Sequence, residues 1–212
     1  SGYVGTINRA LKLGWNKGTI GSHIVRNNKI AYCEQTGIVG SMGCAFSVIE
    51  GNVIHDIHIR RLFHGAEMAA IKFHGAVDVE IKNNHIYRSE KGLWMDWMTQ
   101  GTQIVCNLMY ENDMDIFLEV NHGPTLVANN LLLSKASMLM NTKGVALIHN
   151  VFGGVFNVVG YDARMTPHLL PHSTEIVALN DNAGGDVQLI NNLFVMDGNS
   201  RPYDRALLPV YM

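Results

Sequence analysis

The sequence is organised around the segment Gly92–Pro124, which reads GLWMDWMTQGTQIVCNLMYENDMDIFLEVNHGP. It contains two short apolar stretches, LWMDW and IFLEV, and each holds one carboxylate, Asp96 in the first and Glu119 in the second. Apolar residues at every second position are typical of β-strands that bury one face. The alternation turns both carboxylates away from the buried face.

Asparagines mark a repeat that sets the register of these strands. Each precedes a short apolar step, and together they are Asn28, Asn52, Asn84, Asn107, Asn130, Asn150 and Asn192. Their successive spacings along the chain are 24, 32, 23, 23, 20 and 42. A period near 23 with short strands predicts an all-β solenoid of stacked coils, in which the amides form a structural ladder. The spacing of 32 indicates one coil with about eight inserted residues. The spacing of 42 fits either two coils or one coil with a long excursion.

The repeat places the two carboxylates in adjacent coils. Asp96 follows Asn84 at the same distance along the chain at which Glu119 follows Asn107. Parallel strands stack about 4.8 Å apart, so we expect the two carboxyl groups roughly 5 Å apart on one outer face. Retaining glycosidases use a carboxylate pair about 5–5.5 Å apart as nucleophile and acid/base. Trp97 shares the inward parity of the first strand and is assigned to the core.

The same outward column is predicted to contain Gly40, Lys72, Asp96 and Glu119 at spacings of 32, 24 and 23. A lysine beside Asp96 favours its ionised form, as a nucleophile requires. The alternative is a salt-bridged surface ladder, which contributes little to stability. The aromatic neighbours of these charges favour the functional interpretation.

Further substrate contacts are expected close to this column. Trp94 points outward beside Asp96 and is predicted to stack on a sugar ring. Glu67 ends the inserted segment, five residues before Lys72. His74 follows Lys72 by two residues. Asn121 and His122 follow Glu119 by two and three residues.

Composition narrows the class of protein. The chain has 212 residues, a formal charge of -2 and 47% hydrophobic residues, which suits one globular domain and gives no sign of nucleic-acid binding. No apolar run reaches the roughly 18 residues of a transmembrane helix, so no membrane association is predicted. The sequence shows no signal peptide, and its three cysteines are an odd number, which favours a cytoplasmic location. The histidines complete no zinc pattern, and Asp113 with Asp115 shows no full calcium set, so neither a metal nor another cofactor is predicted.

A single domain over residues 1–212 is expected to have four parts. Residues 1–22 form a helical cap over the open end of the solenoid or a loop on its flank. Regular coils occupy residues 23–154. Residues 155–185 lose the period and contain Pro167 and Pro171, so they are predicted to form a long loop. Residues 186–212 form the last coil and a polar tail.

Three stretches, GLWMDWMTQGT, FLEVNHGP and GAEMAAIKFHG, resemble the retaining β-xylosidases of glycoside hydrolase family 120. The resemblance covers most of the chain. It implies a right-handed parallel β-helix of the pectin-lyase-like type. It also implies that Asp96 is the nucleophile and Glu119 the acid/base, and that Glu67 and Lys72 contact the sugar.

The resemblance further implies that this chain is the C-terminal part of the catalytic β-helix of a longer enzyme that acts on xylo-oligosaccharides. An open first coil exposes sheet edges, so we expect a homo-oligomer or association with the N-terminal portion of the enzyme. Two alternatives stay open: a carbohydrate-binding or structural solenoid with an incomplete site, and a polysaccharide lyase or epimerase on the same scaffold.

Overall fold

Short strands stacked in three parallel sheets form most of the molecule. The computed structural model describes residues 2–62 and 64–195. One helix, α1, spans Gly2–Lys12. The first sheet contains, in order, β1 (Ile24–Arg26), β4 (Val48–Glu50), β7 (Glu80–Lys82), β10 (Thr102–Val105), β13 (Thr125–Ala128), β16 (Val145–Ile148) and β21 (Val187–Ile190). The second contains β2 (Lys29–Ala31), β5 (Val53–Ile57), β8 (His85–Ser89), β11 (Leu108–Tyr110), β14 (Leu131–Leu132), β17 (Val151–Phe152) and β22 (Leu193–Phe194). The third contains β3 (Thr36–Ser41), β6 (Ala69–His74), β9 (Lys91–Met95), β12 (Met114–Asn121), β15 (Ala136–Thr142) and β18 (Val155–Val158).

The first two sheets have seven strands and the third has six, so each coil but the last contributes one strand to each sheet. Within a sheet, each inner strand pairs with its counterparts in the coils before and after it. The sheets therefore enclose a long core in which like residues stack. In the first sheet, one such row is Ile49, Ile81, Ile104, Val127 and Leu147, all buried. Burying an aliphatic side chain of this size contributes roughly 1.5–3 kcal/mol. The parallel pairing of successive coils, with like residues in one buried row, confirms the predicted solenoid.

The corner between the first and second sheets contains the asparagine ladder. At Asn107, the side-chain oxygen accepts from the backbone N–H and the amide of Asn84, both at 3.0 Å. Its own amide donates to the Ile81 carbonyl and to Asn130. The pattern continues to Asn192, which accepts from Asn150. The ladder is confirmed, and the spacing of 42 is one coil with a long excursion.

Backbone geometry explains why this corner so often reads Asn-Asn. The residue before each ladder asparagine has a positive φ, between 51° and 65°. These residues are Asn27, Gly51, Asn83, Cys106, Asn129, His149 and Asn191. Glycine and asparagine occupy this left-handed region at the least cost. In residues 24–194, every corner of this type is two residues long.

Residues 155–185 differ from the predicted long loop. They begin with strand β18, and an antiparallel hairpin follows, made of β19 (Asp162–Leu169) and β20 (Ile176–Asn182). Pro167 lies within β19, where a two-stranded ribbon leaves an edge that needs no donor. The aperiodic sequence was misleading because the hairpin lies outside the repeat and buries its own side chains against the coils.

The hairpin and α1 pack together on the flank of the solenoid. A second hydrophobic cluster there includes Trp15, Met98 and Leu169, with Leu11 of α1 against it. Gln100 exchanges two hydrogen bonds with the backbone of Leu169. Of the two positions left open by the sequence, the helix therefore occupies the flank. Residues 196–212, which include the predicted tail, lie outside the described residues. No helix in the described part of the chain has the length and apolarity to cross a membrane.

Candidate active site

The two carboxylates lie on the outer face of the third sheet, on neighbouring coils. Met95 of β9 pairs with Leu118 of β12, so the next residues, Asp96 and Glu119, occupy equivalent positions. Glu119 is in turn paired with Asn141. This agrees with the register predicted from the asparagine spacing.

The predicted column is wrong at Lys72 and Gly40. Lys72 pairs with Trp94, two residues before Asp96, and Gly40 pairs with inward-facing Phe73. Paired positions in β6 and β9 are therefore two residues closer along the chain than was predicted. The corners after the ladder differ in length between coils, so ladder spacing does not fix the register of every sheet. His74, which pairs with Ser41, is the β6 residue level with Asp96.

Asp96 is surrounded by hydrogen-bond donors. Its Oδ2 lies 2.5 Å from Lys72 Nζ and 2.9 Å from His74 Nε2, and its Oδ1 accepts from the Trp97 backbone N–H at 2.6 Å. Burial alone would raise the pKa of Asp96, but the hydrogen bond from His74 and the charge of Lys72 outweigh burial and hold it at about 2. Asp96 is therefore ionised at neutral pH.

Lys72 reaches Asp96 although it lies in the neighbouring column. Its side chain is 1% exposed, and its ammonium lies 3.6 Å from the centre of the Trp94 ring. Glu67 Oε2 lies 3.3 Å from the same ammonium and 3.8 Å from His74 Nδ1. A buried lysine is stable only with such partners.

The insertion between β5 and β6 places Glu67. The residue has φ +68°, and its carbonyl accepts from the Thr36 hydroxyl of the preceding coil. Gln35 donates to the neighbouring Ala66 carbonyl at 2.9 Å. The structure thus brings Glu67, Lys72 and His74 together around Asp96, and their contact with a sugar stays a prediction.

Glu119 has different partners from Asp96, namely a tryptophan indole on one oxygen and an arginine on the other. Trp94 Nε1 donates to Oε2 at 2.7 Å, and Arg164 Nη1 donates to Oε1 at 2.6 Å. Val120 follows with φ +52° beside a shift in strand register, a strained conformation for a β-branched residue. Such strain costs on the order of 1–3 kcal/mol and often accompanies functional sites.

Arg164 is the residue of this site that sequence reasoning missed. It lies on the hairpin strand β19, and its guanidinium also contacts the Asp162 carboxylate, which accepts from Asn141 at 2.8 Å. The hydrogen bond to Asp162 is the main cause that raises the pKa of Arg164, and Glu119 adds to it. The only sequence signal was a charged Asp-Ala-Arg group in a segment that lacked the repeat.

Trp94 supports the site in a different way from that predicted. The Lys72 ammonium lies over the ring from the preceding coil, and Phe117 of the next coil stacks on it with ring centres 5.6 Å apart. The ring is therefore held between its column neighbours, and its edge N–H serves Glu119. This packing does not favour the predicted stacking of a sugar ring on Trp94.

Two predicted substrate contacts do not face the carboxylates. Asn121 is fully buried, where it accepts from the Thr99 backbone N–H and donates to the Met95 carbonyl. It thus fixes the turn that carries Asp96. His122 bonds the Thr166 carbonyl of the hairpin and lines a separate cavity of about 720 Å³.

Trp97 is also displaced from its predicted place. It lies outside the coils, partly buried against the second hydrophobic cluster, and its Nε1 donates to the Met165 carbonyl at 3.0 Å. The strand β9 ends at Met95, so the strict alternation that assigned Trp97 to the core no longer applies. Among the described residues, no group of three or more His, Cys, Asp or Glu side chains is arranged to hold a metal ion.

Stacked three-sheet coils with a carboxylate cluster on one outer face define a parallel β-helix protein. A profile of the right-handed beta helix region matches residues 17–153, and the chain belongs to this family.

One similar solved structure is described as the complex structure of XylC with xylose. It is 42% identical to this chain, has a TM-score of 0.87 and covers 90% of the chain. This chain spans 30% of the length of that protein. The two matches confirm the resemblance to the xylosidase-like β-helix of glycoside hydrolase family 120. A search of curated proteins found no match.

Proposed function

We propose that this chain carries the catalytic carboxylates of a retaining β-xylosidase that acts on xylo-oligosaccharides. The observation that carries the proposal is the Asp96 carboxylate in contact with Lys72 and His74, level with Glu119 on the adjacent coil. Equivalent positions on stacked strands bring two carboxyl groups to about 5 Å, the separation used for retention. The 42% identical XylC complex with xylose supports the choice of sugar.

In the first half of the reaction, the Asp96 carboxylate attacks the anomeric carbon of the terminal sugar. Glu119 gives its proton to the glycosidic oxygen as the bond to that oxygen breaks, and a covalent glycosyl ester forms on Asp96. In the second half, Glu119 takes a proton from water, which attacks the same carbon. Asp96 leaves, and the sugar is released with its original configuration.

The surrounding residues prepare Asp96 for attack. Lys72 and His74 keep the carboxylate ionised and fix its orientation, and the turn held by Asn121 fixes its backbone. Oriented charges of this kind lower a barrier because they need no rearrangement during the reaction.

The test is azide rescue of two variants on 2,4-dinitrophenyl β-xyloside, whose leaving group needs no proton. Asp96→Gly removes the nucleophile, so azide attacks from the opposite face to the leaving group and yields the α-xylosyl azide. Glu119→Ala still forms the ester on Asp96, and azide then yields the β-xylosyl azide. Proton NMR of the anomeric signal distinguishes the two products.

The unmodified protein supplies the stereochemical control. We expect β-xylose as the first product of hydrolysis, before mutarotation. An α product, or no cleavage of any xyloside under conditions in which the protein is folded, would overturn the proposal. If Asp96→Gly instead gave the β-azide and Glu119→Ala the α-azide, the roles of nucleophile and acid/base would be reversed.

A further inference from the structure

The resting contacts of Glu119 fit only one of the two protonation states that its proposed role requires. Oε2 faces the indole N–H of Trp94, and Oε1 faces the guanidinium of Arg164. An ionised carboxylate accepts from both donors. A protonated one must place its hydrogen on an oxygen that already faces an N–H group, which costs a hydrogen bond. The arrangement suits Glu119 as a base and opposes it as an acid.

The two donors differ in how firmly they are held. Trp94 lies in the wall of the solenoid, between Lys72 and Phe117 in its column. Arg164 projects from the hairpin, and its side chain is 55% exposed. Asp162 engages the guanidinium with both oxygens, so Arg164 keeps a charged partner when it leaves Glu119. Arg164 is therefore the donor that can withdraw.

The charges around Glu119 leave Arg164 as its direct cationic contact. Asp96 lies on the preceding coil and is already paired with Lys72. Lys72 and Lys91 lie over the Trp94 ring, and neither is among the ion-pair partners of Glu119 in the described residues. On the other side, Asn141 is neutral and binds Asp162.

We infer that Arg164 is a positioning residue that holds Glu119 in its base form and must separate from it before the proton is given to the leaving group. This inference rests on the proposed function of Glu119. When the substrate binds, its leaving-group oxygen takes the place of the guanidinium at Oε1, and Arg164 remains on Asp162. After the ester has formed and the leaving group has departed, Arg164 returns and favours the ionised Glu119 that activates water.

The first test compares pH–rate profiles of Arg164→Met and the unmodified protein. With xylobiose, whose leaving group needs a proton, we expect the alkaline limb of kcat/KM to move upward by roughly one pH unit, since an adjacent opposite charge favours the ionised carboxylate. With 2,4-dinitrophenyl β-xyloside, which needs no acid, we expect no movement. Arg164→Lys should give a smaller movement than Arg164→Met.

Arg26→Met is the matched control. Arg26 is similarly exposed, at 52%, and pairs with Glu50 on the first sheet. It should leave both profiles unchanged. An equal movement for the two xylosides in Arg164→Met would overturn the inference, as would unchanged profiles in an active, folded variant.

A second measurement, by NMR, tests the inference without an activity assay. In protein labelled with carboxyl-¹³C glutamate, the Glu119 signal is assigned by its loss in Glu119→Gln. At one mildly acidic pH, the same for all three proteins, we expect this signal to lie closer to the position of a protonated carboxyl in Arg164→Met than in the unmodified protein or Arg26→Met. An unchanged position overturns the inference even if no xyloside is cleaved. Absence of cleavage alone counts against the proposed function.

Discussion

Two regions of the same solenoid arrange their polar side chains in opposite ways. At the asparagine corner, neutral amides repeat from coil to coil, and each group bonds to an equivalent neighbour. On the third sheet, one position holds Ser41, His74, Asp96, Glu119 and Asn141 in successive coils, so that no two neighbours are alike. Repetition provides stability at the first region. On the third sheet, different side chains at equivalent backbone positions provide reactive groups. Each of these side chains depends on a particular partner.

The largest effect is expected when a partner is removed from the variable region. Lys72→Met keeps most of the apolar stem but leaves Asp96 and Glu67 without their shared cation. Breaking a buried ion pair costs roughly 3–5 kcal/mol. We expect a loss of that size in the free energy of unfolding by urea and a fall in kcat/KM of at least roughly a hundredfold. Lys82→Met, which breaks a more exposed pair with Glu80, should change neither measurably.

The repeating region is expected to be sensitive in stability alone. Asn107→Ala removes the acceptor of two Asn84 donors and the donor to Ile81 and Asn130. Each buried donor left without a partner costs about 1–3 kcal/mol, so a loss of roughly 3–4 kcal/mol is expected. Asn28→Ala, at the exposed first position of the ladder, should cost less than about 1 kcal/mol. Equal losses at both positions would show that the contribution of the ladder does not depend on burial.

A third prediction compares Asp96 with a second buried aspartate, Asp115. Asp115 is fully buried, and within the described residues its carboxylate accepts hydrogen bonds from the neutral groups of Asn112 and Ser134. Burial, opposed in part by these hydrogen bonds, raises its pKa to about 6. The folded state therefore binds the proton more tightly than the unfolded chain, and stability falls as pH rises from about 4 to 6, by at most about 3 kcal/mol.

Asp115→Asn should flatten this part of the curve, measured as urea unfolding at a series of pH values. For Asp96, the dependence of folding stability on pH has the opposite sign. Its pKa of about 2 lies below the unfolded value, so its contribution is present above about pH 4 and is lost as pH falls toward 2. A variant Asp115→Asn with the same slope between pH 4 and 6 as the unmodified protein would contradict this assignment.

The smallest effect is expected at the edge of the variable region. Trp94→Phe retains the stacking on Phe117 but removes the N–H that binds Glu119. One hydrogen bond to a charged group corresponds to about 1.5 kcal/mol, or roughly a tenfold fall in kcat/KM. Trp15→Phe removes an indole N–H that donates to Met42, away from the carboxylates, and should leave kcat/KM unchanged.

The sequence predicted those features that the repeat controls. The corner asparagines gave the coil length and the ladder, and their spacing placed Asp96 level with Glu119. The same spacing failed at Lys72, because the distance along the chain from corner to third sheet varies between coils. It could not find Arg164, because the hairpin is held by tertiary contacts such as those of Gln100 with Leu169, which have no period.

The two-residue corner also has a consequence for how such a chain tolerates change. In the described coils this corner never varies in length, while the insertion before β6 and the hairpin after β18 enter at the other two corners. The asparagine corner thus keeps a constant length, whereas the other two corners accept inserted segments. Loops of very different length can be exchanged there without disturbing the stacking of the coils. A new binding surface can therefore arise on this scaffold by exchange of the loops at those two corners, while the asparagine ladder stays unchanged.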